Sequence, residues 1–351
     1  MQEFKQTGPD QPVFLTPSPP RLFARLTSLS RAGEWWEHKL VPGLAVLYAT
    51  AFRTGAGAIE VAQMCVLYVV ALAAGAAFVS AVNDLSDRDD DRRAGKPDRI
   101  GANTVPSLII IAVSVGAGLV FLSNFAAVPF LFWTYAAGWL AFAAYSLPPL
   151  RLKAKAAAGV ACDAVGAHVV PAVFALALVQ RETMSPFDPW LWAIVGWALA
   201  CGLRGIISHQ LSDEPFDRAA GIETFVIRFG PHGSRLLVRY LFFPVELATV
   251  IAMLVLIGSP IPIFGLAASA LFLVGKTARF GTIPVLTGPA PRQAIVLADF
   301  YIVFLPLALL FALAWKDGAF TLLIPAHMLL FPANISATIR DLARLPKEVL
   351  E

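Results

Sequence analysis

Apolar and polar residues are sorted into long blocks along this chain, and they do not alternate with a short period. Apolar runs of about 18–25 residues recur from end to end. Each is long enough, as a helix rising about 1.5 Å per residue, to cross a hydrocarbon core. The runs lie at roughly 36–52, 58–82, 106–123, 126–146, 155–180, 190–208, 236–258, 260–275 and 294–315. The pattern predicts an all-α, polytopic membrane helix bundle of about nine transmembrane helices. A tenth apolar stretch, about 319–334, is short and contains Pro325 and Pro332, which suits a re-entrant or interfacial piece. Three regions follow. Residues 1–34 are polar and Pro-rich (Pro9, Pro12, Pro17, Pro19, Pro20) and are expected to be a flexible extension. Residues 35–315 form the membrane domain, with Trp35 and Trp36 at its interface. Residues 316–351 form an apolar to amphipathic tail, in which Ile339–Leu350 carries a weak surface-helix pattern.

Composition agrees: 58% of residues are hydrophobic and only 15% charged, with a mean hydropathy of +0.69. That balance excludes an ordinary soluble domain. The expected surroundings are a lipid bilayer, and the net charge of +3 gives no reason to expect a nucleic acid partner. Basic residues cluster in alternate loops: Arg88, Arg92, Arg93, Lys96 and Arg99 follow the second run, and Arg151, Lys153 and Lys155 the fourth. Arg218, Arg228 and Arg235 follow the sixth, and Lys276, Arg279 and Arg292 the eighth. The positive-inside rule then puts the N-terminus and these loops in the cytoplasm, as in a bacterial inner membrane. Cys65, Cys162 and Cys201 fall inside apolar runs at spacings unlike metal motifs, so neither disulfide nor zinc is expected.

A repeated string carries the chemistry. Asp87-Arg-Asp-Asp-Asp91-Arg92-Arg93-Ala94-Gly95 follows the second run, and Asp213-Glu-Pro-Phe-Asp217-Arg218-Ala219-Ala220-Gly221 follows the sixth. Both fit D-x-x-x-D-R-x-A-G. Four spans separate them, and an even number puts both on one face of the membrane, as in parallel helical repeats. Asn83, Asp87 and Asp91 stand at i, i+4 and i+8, so they share a helix face; Asp213 and Asp217 do the same, with Gln210 a turn earlier. Converging carboxylates repel and are costly near a bilayer. A hard cation relieves both, and Mg²⁺ typically takes a few carboxylates, water and substrate phosphate. Asp84, Asp89 and Asp90 fit solvated charge. The Ala-Gly pair after each motif is expected to turn the chain out of its helix.

Other polar residues interrupt the apolar runs. These are Arg53, Asp163, His168, Arg204, His209 and, in the doubtful tenth stretch, His327. Arg204 and His209 precede the second motif and are expected to line a cavity near it. Asp163 and His168, at i and i+5, do not share a face. Trp133, Tyr135, Trp139, Phe142 and Tyr145 offer either cation–π contact or plain packing and lipid contact.

At these residues the chain resembles the UbiA superfamily of intramembrane prenyltransferases. The first family signature, N-D-x-x-D-x-x-x-D, is complete as Asn83-Asp84-Leu-Ser-Asp87-Arg-Asp-Asp-Asp91, with an echo of the basic-Pro continuation in Gly95-Lys96-Pro97-Asp98-Arg99. The second is similar to Gln210-Leu-Ser-Asp213-Glu-Pro-Phe-Asp217, then Gly221 and Arg228-Phe229-Gly230. A third string, Tyr145-Ser146-Leu-Pro148-Pro149-Leu-Arg151-Leu-Lys153, ends the fourth run. The resemblance implies nine spans around a central cavity where a prenyl diphosphate binds through Mg²⁺. Asn83, Asp87 and Asp91 would hold one ion, and Asp213 and Asp217 another. Tyr145, Ser146, Arg151 and Lys153 match the string that contacts the diphosphate. Two departures stand out. Gln210 replaces a common Asp, and the Arg-Pro string that grips aromatic acids is absent from Trp35-Trp36-Glu37-His38-Lys39-Leu-Val-Pro42.

The implied reaction ionises an allylic diphosphate and passes the prenyl group to an unidentified acceptor. A terpene cyclase would use the same ionisation and close the cation on its own chain. An ion-coupled transporter is the reading from another class, but its sites are expected near the bilayer midplane and not at helix ends.

Overall fold

The structure is a computed structural model, and it describes residues 28–93, 95, 100, 103–181, 185–288 and 292–345. The Pro-rich residues 1–27, the Lys96–Arg99 segment and residues 346–351 lie outside the described residues. The apolar runs are helices: α1 (Ala32–Thr54), α2 (Ala58–Ser86), the short α3 (Arg88–Arg93), α4 (Val105–Phe125) and α5 (Pro129–Ser146). Next come α6 (Ala156–Gln180) and α7 (Pro189–Ala220). The short α8 (Phe225–Phe229) leads into α9 (Pro231–Ile257) and α10 (Ile261–Phe280). A parallel strand pair, β1 (Ile283–Val285) with β2 (Gln293–Ile295), precedes α11 (Phe300–Lys316), α12 (Leu323–Leu330) and α13 (Pro332–Arg344). Proline stands in the first turn of many of these helices, Pro106, Pro129, Pro189, Pro231 and Pro332 among them. There its missing N–H costs nothing.

Six of the helices, α2, α4, α6, α7, α9 and α10, are long and apolar enough to cross a membrane. Three others occupy expected spans without meeting that measure. α1 carries Glu37, Lys39 and Arg53, α5 has only 18 residues diluted by Trp and Tyr, and α11 is short. The tenth stretch resolves into a bent pair: Gly318–Leu330 meets α13 at 91°. Counting that pair as one span gives seven, so length and composition do not by themselves reach nine.

The core is built around α1, which packs against α2, α6, α9 and α11. Leu40, Leu44 and Leu47 meet Phe174, Trp190 and Phe300 there, all within 1% of full burial. Trp190 keeps its indole donor satisfied on Thr50 Oγ1 at 3.1 Å. α4, α9 and α10 turn large aliphatic faces outward, Val113, Val255 and Leu271 among them, as a hydrocarbon solvent allows. The protein is therefore multi-pass in a membrane. Cys65, Cys162 and Cys201 are free thiols.

The C-terminal helices are bound to α1. Glu37 accepts backbone N–H groups of Ala333 (2.6 Å) and Asn334 (2.7 Å), capping α13 from another helix. Trp36 Nε1 donates to the Leu330 carbonyl at 2.9 Å, and Tyr48 Oη lies 3.1 Å from His327 Nδ1.

Candidate active site

Asp87 ends α2, and α3 begins at the next residue. The Asp87 N–H still bonds the Asn83 carbonyl (2.9 Å), and the Asp91 N–H bonds that of Asp87 (2.8 Å). The four-residue stagger thus survives the break. α7 instead runs unbroken through Asp213 and Asp217 and stops at Gly221, whose φ is +71°. Gly95, after the first motif, also has φ +71°. Both motifs therefore end on a left-handed glycine, a conformation that a Cβ disfavours.

α3 packs against α7, which gathers the two motifs at one end of the bundle. Between them is a cavity of about 830 Å³. Asn83, Asp87, Asp91, Tyr145, Arg151, Lys153, His209, Gln210, Asp213 and Asp217 all line it. Among the described residues, no three His, Cys, Asp or Glu side chains converge tightly enough to hold a metal unaided. The first motif is instead engaged by the third string. Arg151 Nη2 donates to Asp87 Oδ1 at 3.0 Å, the Lys153 ammonium pairs with that same oxygen, and Lys153 Nζ donates to Ser86 Oγ at 3.0 Å. Arg151 has φ +36°, a strained backbone for a residue with a Cβ, of the kind found at functional sites.

Three expected residues need finer placement. Ser146 is fully buried behind the wall, with its hydroxyl donating to Asn83 Oδ1. Gln210 reaches the cavity, but its Oε1 accepts the Val226 N–H at 3.2 Å and so ties α7 to α8. Arg204 is not brought to this cavity, which corrects its expected place. Its Nε and Nη2 each donate to a Glu246 carboxylate oxygen at 2.6 Å. Tyr301 donates to Glu246 Oε1 at 2.8 Å, and Arg204 Nη1 donates to the Leu286 carbonyl at 3.2 Å. A buried carboxylate on α9 claims this guanidinium, and the residue lines a second cavity of about 150 Å³.

The α5 aromatics divide. Phe142 and Tyr145 line the main cavity. Trp133 points outward, Tyr135 is buried with its hydroxyl on the Ala71 carbonyl (3.1 Å), and Trp139 packs on Phe78. Other residues, to which the sequence assigned no role at the site, also line the cavity. Asp84 is not solvated surface: it lines the cavity 3.6 Å from Arg31. Thr224, Lys39 and Asp163 also line it. Lys39 Nζ lies 2.8 Å from His168 Nε2, and a lone lysine inside an apolar run was the signal for it.

The model of the UbiA prenyltransferase family matches residues 40–281. The chain belongs to the UbiA prenyltransferase family. The matched segment contains both Asp motifs and the Tyr145–Lys153 string, and leaves α11–α13 outside. A lycopene elongase/hydratase of Halobacterium salinarum is 28% identical over 214 residues, which are 60% of this chain and 72% of that protein. Two solved structures of a UbiA homologue from Archaeoglobus fulgidus share their fold with this chain. One is bound to DMAPP and Mg²⁺ (20% identity) and the other to GPP and Mg²⁺ (19% identity). Each has a TM-score of 0.50 and covers 91% of this chain and 99% of its own.

Proposed function

We propose that this chain is a Mg²⁺-dependent intramembrane prenyltransferase that takes a prenyl diphosphate at the Asp-motif end of its cavity. The prenyl group passes to a lipid-dissolved acceptor, and pyrophosphate leaves. One observation carries the reading: both Asp motifs and the cationic pair Arg151 and Lys153 face a single cavity of about 830 Å³.

The donor set fits the metal. Asp87, Asp91, Asp213 and Asp217, with the Asn83 amide, offer only hard donors from the α2–α3 segment and from α7. Mg²⁺ keeps several waters and completes its shell on phosphate, so a preassembled protein cage is not needed. When bound, Mg²⁺ stabilises the charge that builds on the leaving diphosphate. Arg151 and Lys153 donate charge-assisted hydrogen bonds to the same oxygens. Tyr145 closes the wall beside them, Ser146 holds Asn83, and His209 and Gln210 face the group from α7. The deeper wall, with Leu72, Val79 and Phe142, is apolar; it suits an isoprenoid tail and keeps water from an allylic cation.

The name of the Halobacterium relative supports a polyene acceptor such as lycopene over an aromatic acid. The missing Arg-Pro string on α1 supports the same choice. The basic loops support a cytoplasmic Asp-motif end in a bacterial inner membrane.

The test uses purified protein in nanodiscs with dimethylallyl or geranyl diphosphate, with and without lycopene. The expected result is Mg²⁺-dependent pyrophosphate release, abolished by EDTA, and a prenylated polyene by mass spectrometry. A cyclic terpene formed without any acceptor would replace transfer by cyclisation.

A further inference from the structure

We propose that Asp163 is a further catalytic residue of this cavity, the base that removes the proton once the new carbon–carbon bond has formed. The inference rests on the prenyl-transfer reading and adds a residue outside both Asp motifs. Asp163 stands on α6, seven residues after Ala156. That is about 10 Å along the axis at 1.5 Å per residue. Ala156 itself bridges to Thr224 at the motif end of the bundle, so Asp163 lies deeper than the helix-end carboxylates. It lines the main cavity with Leu72, Val79, Phe142 and Gly166, the part that suits the isoprenoid tail.

Asp163 makes no hydrogen bond or ion pair among the described residues. Lys39 and His209 are the charges that act on it, and Lys39 already holds His168. A carboxylate inside a membrane bundle is costly, and one without a bonded partner has no packing reason to be there. A cavity that generates a cation supplies the reason. The C1–O bond of the prenyl diphosphate breaks, and its electron pair leaves on the diphosphate. A π pair of an sp² carbon in the acceptor then bonds to C1 and leaves a cation on the neighbouring carbon. The adjacent C–H proton passes to an Asp163 oxygen, and the C–H pair closes the new double bond. The balance is prenyl diphosphate plus acceptor–H giving prenyl-acceptor, diphosphate and a proton. The diphosphate end is crowded with carboxylates engaged elsewhere, as Asp87 is by Arg151 and Lys153.

The experiment compares wild type, Asp163→Asn and Asp163→Glu in nanodiscs with geranyl diphosphate, Mg²⁺ and lycopene. It reads geranyl diphosphate affinity, pyrophosphate release and the mass of the prenylated product. In Asp163→Asn, affinity and pyrophosphate release are expected to stay within about threefold of wild type, while deprotonated product falls at least about thirtyfold. The lost product is expected to be recovered as geraniol or as a hydrated adduct, and Asp163→Glu to restore part of the yield. Unchanged product in Asp163→Asn overturns the proposal, as does loss of affinity in step with product, which would make Asp163 part of the binding wall. A wild-type protein that releases no pyrophosphate from either dimethylallyl or geranyl diphosphate overturns the prenyl-transfer reading itself.

Discussion

The Ser146 hydroxyl donates to Asn83 Oδ1, joining the end of α5 to the first Asp motif. With Arg151 and Lys153 on Asp87 and Ser86, the two segments form one hydrogen-bonded unit. Ser146 is wholly buried, so it acts on the site through Asn83. Ser146→Ala therefore leaves the carboxylates untouched and frees the amide to turn. One lost hydrogen bond of about 1 kcal/mol corresponds to a roughly fivefold weaker affinity. Titration with geranyl diphosphate and Mg²⁺ should find that loss with kcat within about twofold. An unchanged affinity would mean that the Asn83 orientation is set elsewhere.

Asp87 and Asp213 are equivalent in the repeat but differ in surroundings. Asp87 holds Arg151 and Lys153, so Asp87→Asn removes a carboxylate and also releases two cations. Asp213→Asn removes a carboxylate of the second motif from α7. Either change should lower pyrophosphate release by about a hundredfold or more, the usual cost of removing electrostatic stabilisation of a leaving group. Because both line one cavity, the double variant should lose much less than the product of the two. Full additivity in steady-state rates would argue for two independent sites.

The apolar blocks placed nearly every helix, because lipid leaves a spanning backbone little choice of structure. The repeated Asp strings pointed to one end of the bundle, where both motifs line the same cavity, since equal position in two repeats is itself a geometric constraint. What escaped depends on long-range pairing. Arg204 looked like a cavity residue because its partner Glu246 lies 42 residues away on α9, at no helical spacing from it. Gln210 stands where relatives commonly carry Asp, and its carbonyl is taken by the Val226 backbone, a contact across the turn at Gly221 that no helical spacing signals. The bend between α12 and α13 was signalled by Pro332, but the cap that holds it, Glu37 on α1, was not.

The Arg204–Glu246 pair makes a stability prediction separate from catalysis. Its side chains are 5% and 0% exposed, and Tyr301 adds a third hydrogen bond. Removing one partner strands a buried charge, at a cost of about 3–5 kcal/mol. Glu246→Leu should lower the thermal midpoint in detergent substantially, and Arg204→Met with Glu246→Leu together should recover much of the loss. The double variant should bind geranyl diphosphate like wild type. A large loss of affinity with a normal midpoint would return Arg204 to the site.

Two glycines that look alike in space should respond to alanine with opposite signs. A Cβ at Gly221 or at Gly116 would meet nothing within 4 Å, so neither substitution is limited by packing. Gly116 lies inside α4 (Val105–Phe125) with ordinary helical backbone. There alanine restricts the unfolded chain and favours the helix, so Gly116→Ala should be neutral or stabilising by up to about 1 kcal/mol. Gly221 has φ +71° and bonds the carbonyls of Asp217 and Arg218. Alanine there costs about 1–2 kcal/mol of left-handed strain, or else unwinds the turn beside Asp217. Gly221→Ala should therefore lower both the thermal midpoint and the affinity for geranyl diphosphate, while Gly221→Asn, which tolerates that conformation better, should lose less. If Gly221→Ala is as harmless as Gly116→Ala, the turn after the second motif does not hold Asp217 in place.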